Sequence, residues 1–296
     1  FEAMDTCVQC LGCETACPSG VPYGELIVAT REATVAGHRP SRRLRAGLWL
    51  LGRPRLLRIG SRLLALVQRV GLVPRIGLLP RRLPLWAPRS RATGTGDVVL
   101  FTGCVMDAWQ PEVHAAVEAV LEETGTTVDR SGDRAGCCGA LPHHMGKNAS
   151  GSKLAKANLL AWKEELAGSK IDAIVSNTSG CGTMLKDYGH IFRNDEKWSE
   201  VAATISDLAV DVCEFLEKIG LSGTLPSKLS VAYHSACSLQ HGQQVHEAPI
   251  ALLKNCGFNV LEIPEGHLCC GSAGTYNLLQ PALANELRDR KLMNIA

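Results

Sequence analysis

The sequence has no uninterrupted apolar run of about 18 residues, so it predicts no transmembrane helix. Its first residues contain no secretory apolar region, which argues against a signal peptide. We find no Ser-His-Asp pattern, phosphate-binding loop or dinucleotide fingerprint, and therefore predict no catalytic residue and no flavin site. Residues 33–96 contain no aspartate or glutamate. These absences leave cysteine as the residue type that carries the most chemical information.

Cysteine is abundant, with 13 among 296 residues. Disulfide scaffolds are usually short and secreted, whereas clustered CxxC spacings in a long chain indicate metal binding in a reducing compartment. We therefore predict a cytoplasmic metalloprotein. The chain begins at Phe1 inside a motif and stops at Ala296 within a helical pattern, so we interpret it as a piece of a longer protein.

The first motif has the spacing C-x2-C-x2-C-x3-C-P and ends at Pro18. This spacing is typical of bacterial ferredoxins, in which three cysteines bind one [4Fe–4S] cluster and the fourth reaches a second cluster. A zinc ribbon would instead use two separated CxxC pairs. The partner run of a two-cluster module is expected upstream of the chain. The predicted ligands are Cys7, Cys10 and Cys13 for one cluster and Cys17 for another.

A Cys-Cys-Gly sequence, CCG, occurs twice, at 137–139 and at 269–271. Adjacent cysteines do not pair easily with each other, but both thiolates can bind one polynuclear metal centre. Each copy has a single upstream cysteine at the end of a strand-like run, 33 positions before the first pair and 32 before the second. An internal duplication explains this spacing, whereas a set of buried free thiols does not. Gly139 and Gly271 are expected to let the backbone approach a cluster closely.

The first repeat offers four cysteines, which suit a [4Fe–4S] cluster. The second offers three, and its fourth ligand would fall beyond Ala296. Cys213 and Cys256 fall on helical patterns and are interpreted as buried free thiols. The predicted ligands are Cys104, Cys137, Cys138 and Cys181 in the first repeat, and Cys237, Cys269 and Cys270 in the second.

Six histidines lie close to these cysteines in sequence. Each could donate a hydrogen bond to sulfur and tune a cluster potential. The alternative for each is a solvated or capping role. They are His143, His144, His234, His241, His246 and His267.

From residue 97 onward strand-like runs alternate with helical patterns, which predicts α/β units. The predicted architecture is α/β, with a helical, ferredoxin-like N-terminal piece followed by two duplicated α/β cysteine-rich units. A helix over 24–35 is predicted to bury Leu26, Ile27 and Val35. Another over 111–123 is predicted to have Val113, Ala116, Val117, Val120 and Leu121 on one side, and a third is predicted over 210–219. The predicted domains are 1–37, ferredoxin-like; 38–96, an Arg/Leu-rich amphipathic linker; 97–225, the first CCG repeat; and 226–296, the second, truncated repeat.

The predicted linker is basic, with 14 arginines between Arg39 and Arg91 and leucines or tryptophans between them at spacings of three and four. Elsewhere the chain has 17 basic and 29 acidic residues. A basic amphipathic segment suggests contact with an anionic membrane surface, with a quinone or with an acidic partner subunit. No nucleic-acid recognition motif accompanies it, so we predict no nucleic-acid partner. The alternative is a linker that wraps its own acidic globule.

Together with both CCG sequences, the segments 7–18, 177–181, 233–243 and 269–281 resemble the iron–sulfur subunit family of glycolate oxidase, or glycolate dehydrogenase. The resemblance covers nearly the whole chain. The wider family shares this repeat with lactate-utilisation proteins, the anaerobic glycerol-3-phosphate dehydrogenase C subunit and the B subunit of heterodisulfide reductase.

The resemblance implies an electron-transfer subunit that accompanies FAD-binding dehydrogenase subunits, in a cytoplasmic oxidoreductase complex that is peripheral on the membrane and passes electrons towards a membrane quinone. Oxidation of glycolate or a similar 2-hydroxyacid would occur on the partner. Two departures matter. The family begins with two ferredoxin runs, of which only the second is here, and Thr178 stands where the heterodisulfide reductase repeat has a further cysteine.

Three alternatives remain open at this stage. The chain could be a catalytic subunit that reduces a disulfide or quinone at its cluster. It could be the iron–sulfur subunit of a lactate or glycerol-3-phosphate dehydrogenase. It could also be a structural metal scaffold, in which case stepwise reduction would reveal no reducible cluster.

Overall fold

A computed structural model describes residues 4, 6–35, 42–72, 82–86, 96–131, 135–168, 171–221, 223 and 229–296. Within these ranges the chain is α/β, as predicted, and its strands form one four-stranded and one two-stranded sheet. No helix in this part of the chain is long and apolar enough to cross a membrane.

The elements are numbered along the chain. The strands are β1 Val98–Phe101, β2 Val128–Arg130, β3 Ala173–Ser176, β4 Ala209–Asp211, β5 Ser230–Ala232 and β6 Asn259–Leu261. The helices are α1 Gly12–Ala16, α2 Tyr23–Val35, α3 Arg42–Leu51, α4 Pro54–Arg69, α5 Val105–Trp109, α6 Pro111–Glu123, α7 Ala140–His144, α8 Asn148–Gly168, α9 Ser179–Lys186, α10 Tyr188–Ile191, α11 Ser199–Leu208, α12 Val212–Ile219, α13 Ala248–Asn255, α14 Tyr276–Leu279 and α15 Pro281–Ile295, with a π-helical turn at Ser238–Gly242.

The chain packs as two compact units that do not follow sequence order. We call them the first-repeat unit and the second-repeat unit, after the cysteine set that each contains. The first-repeat unit consists of Pro40–Gly139 and Ser152–Val210, and the second-repeat unit of Phe1–Arg39, Ala140–Gly151 and Asp211–Ala296.

The first-repeat unit is built on a sheet in the order β2-β1-β3-β4, in which β1 pairs in parallel with both β2 and β3. Val98 of β1 pairs with Val128 of β2 and with Ala173 of β3. All four residues of β1 and of β3 are buried, as expected for parallel strands covered on both faces. On one face Phe101 makes an edge-to-face contact with Trp162 of α8, with ring centroids 5.5 Å apart. This core holds the carboxyl ends of β1 and β3, where two of the predicted ligands follow.

Part of the predicted linker folds onto the first-repeat unit. The inner side of α4 places Leu57 in an apolar cluster with Cys104 and Cys137. The Arg58 guanidinium lies 3.2 Å from a carboxylate oxygen of Asp107, and both side chains are largely buried. Most of residues 42–69 is therefore helical, in α3 and α4, and α4 packs as part of the first-repeat unit.

The second-repeat unit contains the parallel pair β5–β6, in which Val231 faces Val260. The N-terminal piece packs in this same unit. The Arg31 guanidinium donates hydrogen bonds to the carbonyl oxygens of Cys7 at 2.7 Å and His144 at 3.0 Å, and the Tyr276 hydroxyl donates to the carbonyl of Thr6. The ferredoxin-like fold of this piece stays a prediction.

Helix positions were predicted better than helix faces. The predicted 24–35 helix is observed as α2, where Ile27 is buried but Leu26 is 47% exposed. Adjacent helical residues point about 100° apart, and in α2 the inward direction is that of Ile27. The Val35 side chain lies outside the described side chains.

Helix α6 occupies the predicted range, yet its buried residues are Pro111, His114 and Leu121. Of the residues predicted to share one side of this helix, Leu121 is buried, whereas Ala116 and Val120 are exposed. The buried side of α6 therefore coincides only partly with the valine-rich side.

The first residues of the predicted 210–219 helix belong instead to the end of a strand. Residues 209–211 form β4, and α12 begins only at Val212. The Asp211 carboxylate accepts a hydrogen bond from the Cys213 amide, and the Glu214 carboxylate accepts one from the Asp211 amide. This reciprocal capping box marks the helix start.

Candidate metal centres

The four cysteines predicted for the first repeat converge in the first-repeat unit. Cys104 directly precedes α5, after Gly103 with a φ of 66°, and Cys181 lies in the first turn of α9. The sulfur atoms of Cys138 and Cys181 are 3.4 Å apart. Cys104 is within hydrogen-bonding reach of Cys137. A strand end, a loop and a helix start therefore bring together residues that span 78 positions of sequence.

The thiols in this set influence one another strongly. The pKa of Cys137 is lowered because its thiolate accepts hydrogen bonds from Cys104 and Cys138. The pKa values of Cys104 and Cys138 are raised, first by their hydrogen bonds to Cys137 and then by neighbouring thiols and burial. Several adjacent buried thiolates require a compensating positive charge, which iron ions supply when bound. The donor chemistry fits an iron–sulfur cluster.

Two buried polar side chains hold the first CCG loop. Asn158 of α8 accepts a hydrogen bond from the Gly136 amide at 2.9 Å and donates to the Cys137 carbonyl at 3.1 Å. The Tyr188 hydroxyl donates to the Cys138 carbonyl at 2.8 Å. These bonds fix the backbone that carries both sulfurs. Sequence reasoning missed both residues. A polar residue on the inner face of α8 was an available signal for Asn158, but nothing in the sequence distinguished Tyr188.

The second cysteine set lies in the second-repeat unit. The pKa of Cys237 is lowered, chiefly because its thiolate accepts a hydrogen bond from Cys269. The same interaction raises the pKa of Cys269 to about 11, and the neighbouring Cys269 raises that of Cys270 to about 11. Cys269 is thus within hydrogen-bonding reach of both other predicted ligands.

The structure shows why glycine follows this cysteine pair at position 271. Its φ of 79° lies in the left-handed region. A Cβ there would overlap the carbonyl oxygen of Ala284 and lie 3.0 Å from its carbonyl carbon. Close packing of α15 against the CCG loop therefore requires glycine at this position.

The N-terminal motif belongs to the same unit. Cys7, Cys10 and Cys17 are half-buried and Cys13 is exposed. A charged Cys10 would oppose the lowering of the Cys237 pKa. The Thr15 hydroxyl lies 3.0 Å from Nδ1 of His241, four residues after Cys237. The N-terminal motif and the second cysteine set are therefore neighbours.

The flanking histidines have different environments. Both ring nitrogens of His234 are buried, and neither has a hydrogen-bond partner among the described residues. The His234 ring nevertheless lies close enough to Cys270 to oppose the rise in the pKa of that thiol. His143 and His144 lie on α7 in the second-repeat unit, and burial lowers the pKa of His144 to about 4. His246 and His267 are exposed.

Within the described ranges, no group of three or more His, Cys, Asp or Glu side chains is arranged to hold a single metal ion. The cysteine sets instead consist of directly contacting thiols.

Comparisons with known proteins agree with this pattern. The family model for the CCG cysteine-rich domain matches residues 98–186 and 231–296. The chain is 36% identical to the "Glycolate oxidase iron-sulfur subunit" of Escherichia coli strain K12, over 98% of this chain and 72% of that protein. It is 28% identical to the "Probable glycolate oxidase iron-sulfur subunit" of Bacillus subtilis strain 168, over the same two shares.

A shorter match, at 28% identity, joins 66% of this chain to 80% of "Lactate utilization protein A" of Bacillus velezensis. The family match to both repeats and the similarity to the Escherichia coli protein over 98% of this chain lead to the same conclusion. The chain belongs to the CCG cysteine-rich family that includes the glycolate oxidase iron–sulfur subunit.

Proposed function

We propose that this chain is the electron-transfer subunit of an FAD-linked 2-hydroxyacid dehydrogenase, with glycolate as the expected substrate. The observation that carries the proposal is the convergence of Cys104, Cys137, Cys138 and Cys181, in a chain whose relatives are named iron–sulfur subunits. When bound, iron–sulfur clusters accept and release single electrons at potentials set by their surroundings. Substrate oxidation then belongs to the partner FAD-binding subunit, and the final acceptor is a membrane quinone.

The cluster sites follow from the cysteine sets. The first set holds one [4Fe–4S] cluster, and Cys237, Cys269 and Cys270 supply three ligands of another. The N-terminal cysteines belong to a ferredoxin-type module. Thr178 adds no fifth thiol to the first set, and its hydroxyl donates to the Met106 sulfur at 2.8 Å. The missing fifth thiol favours a cubane cluster there over a larger or opened cluster that reduces disulfides.

The direct test uses the anaerobically purified complex. Adding glycolate should reduce the clusters, and stepwise reduction should reveal separate EPR signals. A complex that binds no reducible cluster would contradict the proposal. Cluster reduction by lactate or glycerol 3-phosphate, but not by glycolate, would reassign the substrate.

The N-terminal motif gives a second test. In the full-length protein, Cys10→Ser and Cys17→Ser should alter different clusters, because the fourth cysteine of this spacing ligates the other cluster. EPR after stepwise reduction distinguishes the two signals. If both substitutions change the same signal, all four cysteines bind one cluster and the assignment is wrong.

His234 gives a third test, because it stands where the first repeat has Phe101, three positions before the upstream cysteine. An N–H group directed at Cys270 would stabilise the more negative, reduced cluster. We expect His234→Phe to lower one cluster potential by about 60 mV, equivalent to a tenfold change in a one-electron equilibrium. Potentiometric EPR measures the change, and His246→Phe on the exposed surface is the control. Unchanged potentials in His234→Phe would remove this role.

A further inference from the structure

We propose that the outer face of α4 docks on an anionic lipid bilayer and thereby places the first cysteine set next to the membrane. The exposed residues of α4 are the basis for the proposed docking. The consequence for electron transfer rests on the proposed function.

An apolar stripe runs along the solvent side of α4. Its residues recur at alternating spacings of three and four and are each between 44% and 68% exposed. At 1.5 Å per residue the stripe is about 21 Å long. Contiguous exposed apolar surface of this kind marks an interaction site. The stripe consists of Leu56, Ile59, Leu63 and Leu66, together with Val70 directly after the end of α4.

The opposite face of α4 already has its partners in the first-repeat unit. Leu57 packs with Cys104 and Cys137, and Ser61 accepts a hydrogen bond from the Trp109 indole at 3.0 Å. The inner face therefore anchors the helix, and the outer stripe is left for an external surface. The helix, about 10 Å in diameter, lies between that surface and two of the cysteines.

The charges around the stripe fit anionic headgroups. Arg55, Arg62 and Arg69 recur every seven residues along one edge of the stripe, and all three are exposed. No acidic residue occurs in 33–96 to oppose them. Basic residues beside an apolar helical face are typical of helices that lie in the membrane interface.

Two exposed tryptophans outside α4, each beside an arginine, also suit a membrane interface. Trp49 is 53% exposed, with the Arg53 guanidinium 3.8 Å from its ring centroid. Trp86 is 85% exposed, with the Arg62 guanidinium 5.8 Å away. Tryptophan is enriched at the boundary between hydrocarbon and headgroups.

A helix of a partner protein is the competing occupant, because alternating spacings of three and four also suit a coiled coil. A coiled-coil pattern is normally sustained over three to four heptads, and this stripe covers about two. The tryptophans outside the stripe and the single sign of charge across the segment further favour a broad anionic surface.

The test measures binding to phosphatidylglycerol-containing vesicles and to pure phosphatidylcholine vesicles. Wild-type complex should bind the anionic vesicles and lose binding as salt increases. The triple variant Ile59→Ser, Leu63→Ser, Leu66→Ser should bind them at least tenfold more weakly. The matched control Leu283→Ser, Leu292→Ser, Met293→Ser, on exposed positions of α15, should bind within twofold of wild type. Each of Arg55→Gln and Arg62→Gln should weaken binding about fivefold.

Electron transfer supplies a separate readout. In the triple variant, glycolate oxidation with a water-soluble dye should be unchanged, while reduction of a membrane-embedded quinone should fall. Equal vesicle binding by wild type and triple variant, or loss of the flavin subunit in place of vesicle binding, overturns the docking. Lost vesicle binding with normal quinone reduction overturns only the placement of the electron exit. A wild-type complex that glycolate cannot reduce overturns the proposed function, whatever its lipid binding.

Discussion

Cys138→Ser is expected to remove one cluster's worth of iron and sulfide and to lower electron transfer to quinone by more than about 100-fold. Cys138 is buried, and its sulfur lies 3.4 Å from that of Cys181. Serine would replace a thiolate with a hydroxyl that is a much poorer ligand for iron. Loss of an outer-shell partner alone costs about 10–100-fold, so loss of a ligand should exceed that range.

The measurements are iron and acid-labile sulfide content, EPR signals, and hydroxyacid oxidation with an artificial acceptor at the flavin. The last should persist in Cys138→Ser, because the proposed chemistry lies on the partner. Cys213→Ser is the control, since Cys213 lies on α12 and burial raises its pKa to about 12, as for an unreactive thiol. If flavin-level activity disappears from an assembled Cys138→Ser complex, this chain takes part in catalysis and the relay is wrong.

Gly271→Ala is expected to destabilise the protein by about 3 kcal/mol, the sum of a left-handed backbone penalty and overpacking. The added methyl would overlap the Ala284 carbonyl oxygen, and φ at this position is 79°. This overlap can be removed only if α15 moves, or if the CCG loop that carries Cys269 and Cys270 moves. Chemical denaturation of the second-repeat unit and cluster content both measure this effect.

Gly60→Ala is the matched control, because a Cβ at that exposed site in α4 would meet no atom of the described residues within 4 Å. Alanine has a higher helix propensity than glycine, so this variant should be more stable by up to about 1 kcal/mol. If Gly271→Ala is as stable as wild type, the close packing of α15 on the second CCG loop is wrong.

The sequence by itself determined the features that depend on local spacing. The strand after Asp97 and the helix over 111–123 were predicted because short-range apolar patterns and proline define them. The CCG duplication was predicted because a repeated spacing is visible without any structure. The assignment of these cysteines to clusters stays a prediction, although the structure brings each repeat's thiols into contact.

Tertiary structure decided which surfaces meet. Periodicity could not reveal that Ile27 rather than Leu26 is buried, since either position could face a core. It could not show that Asn158 reaches the Cys137 carbonyl across 21 residues, because no local rule links them. The orientation of α4 is another feature that only tertiary contacts decided. Its leucines predict an amphipathic helix, but packing of Leu57 against Cys104 decides which face turns inward, because only non-local contacts distinguish two apolar faces of one helix.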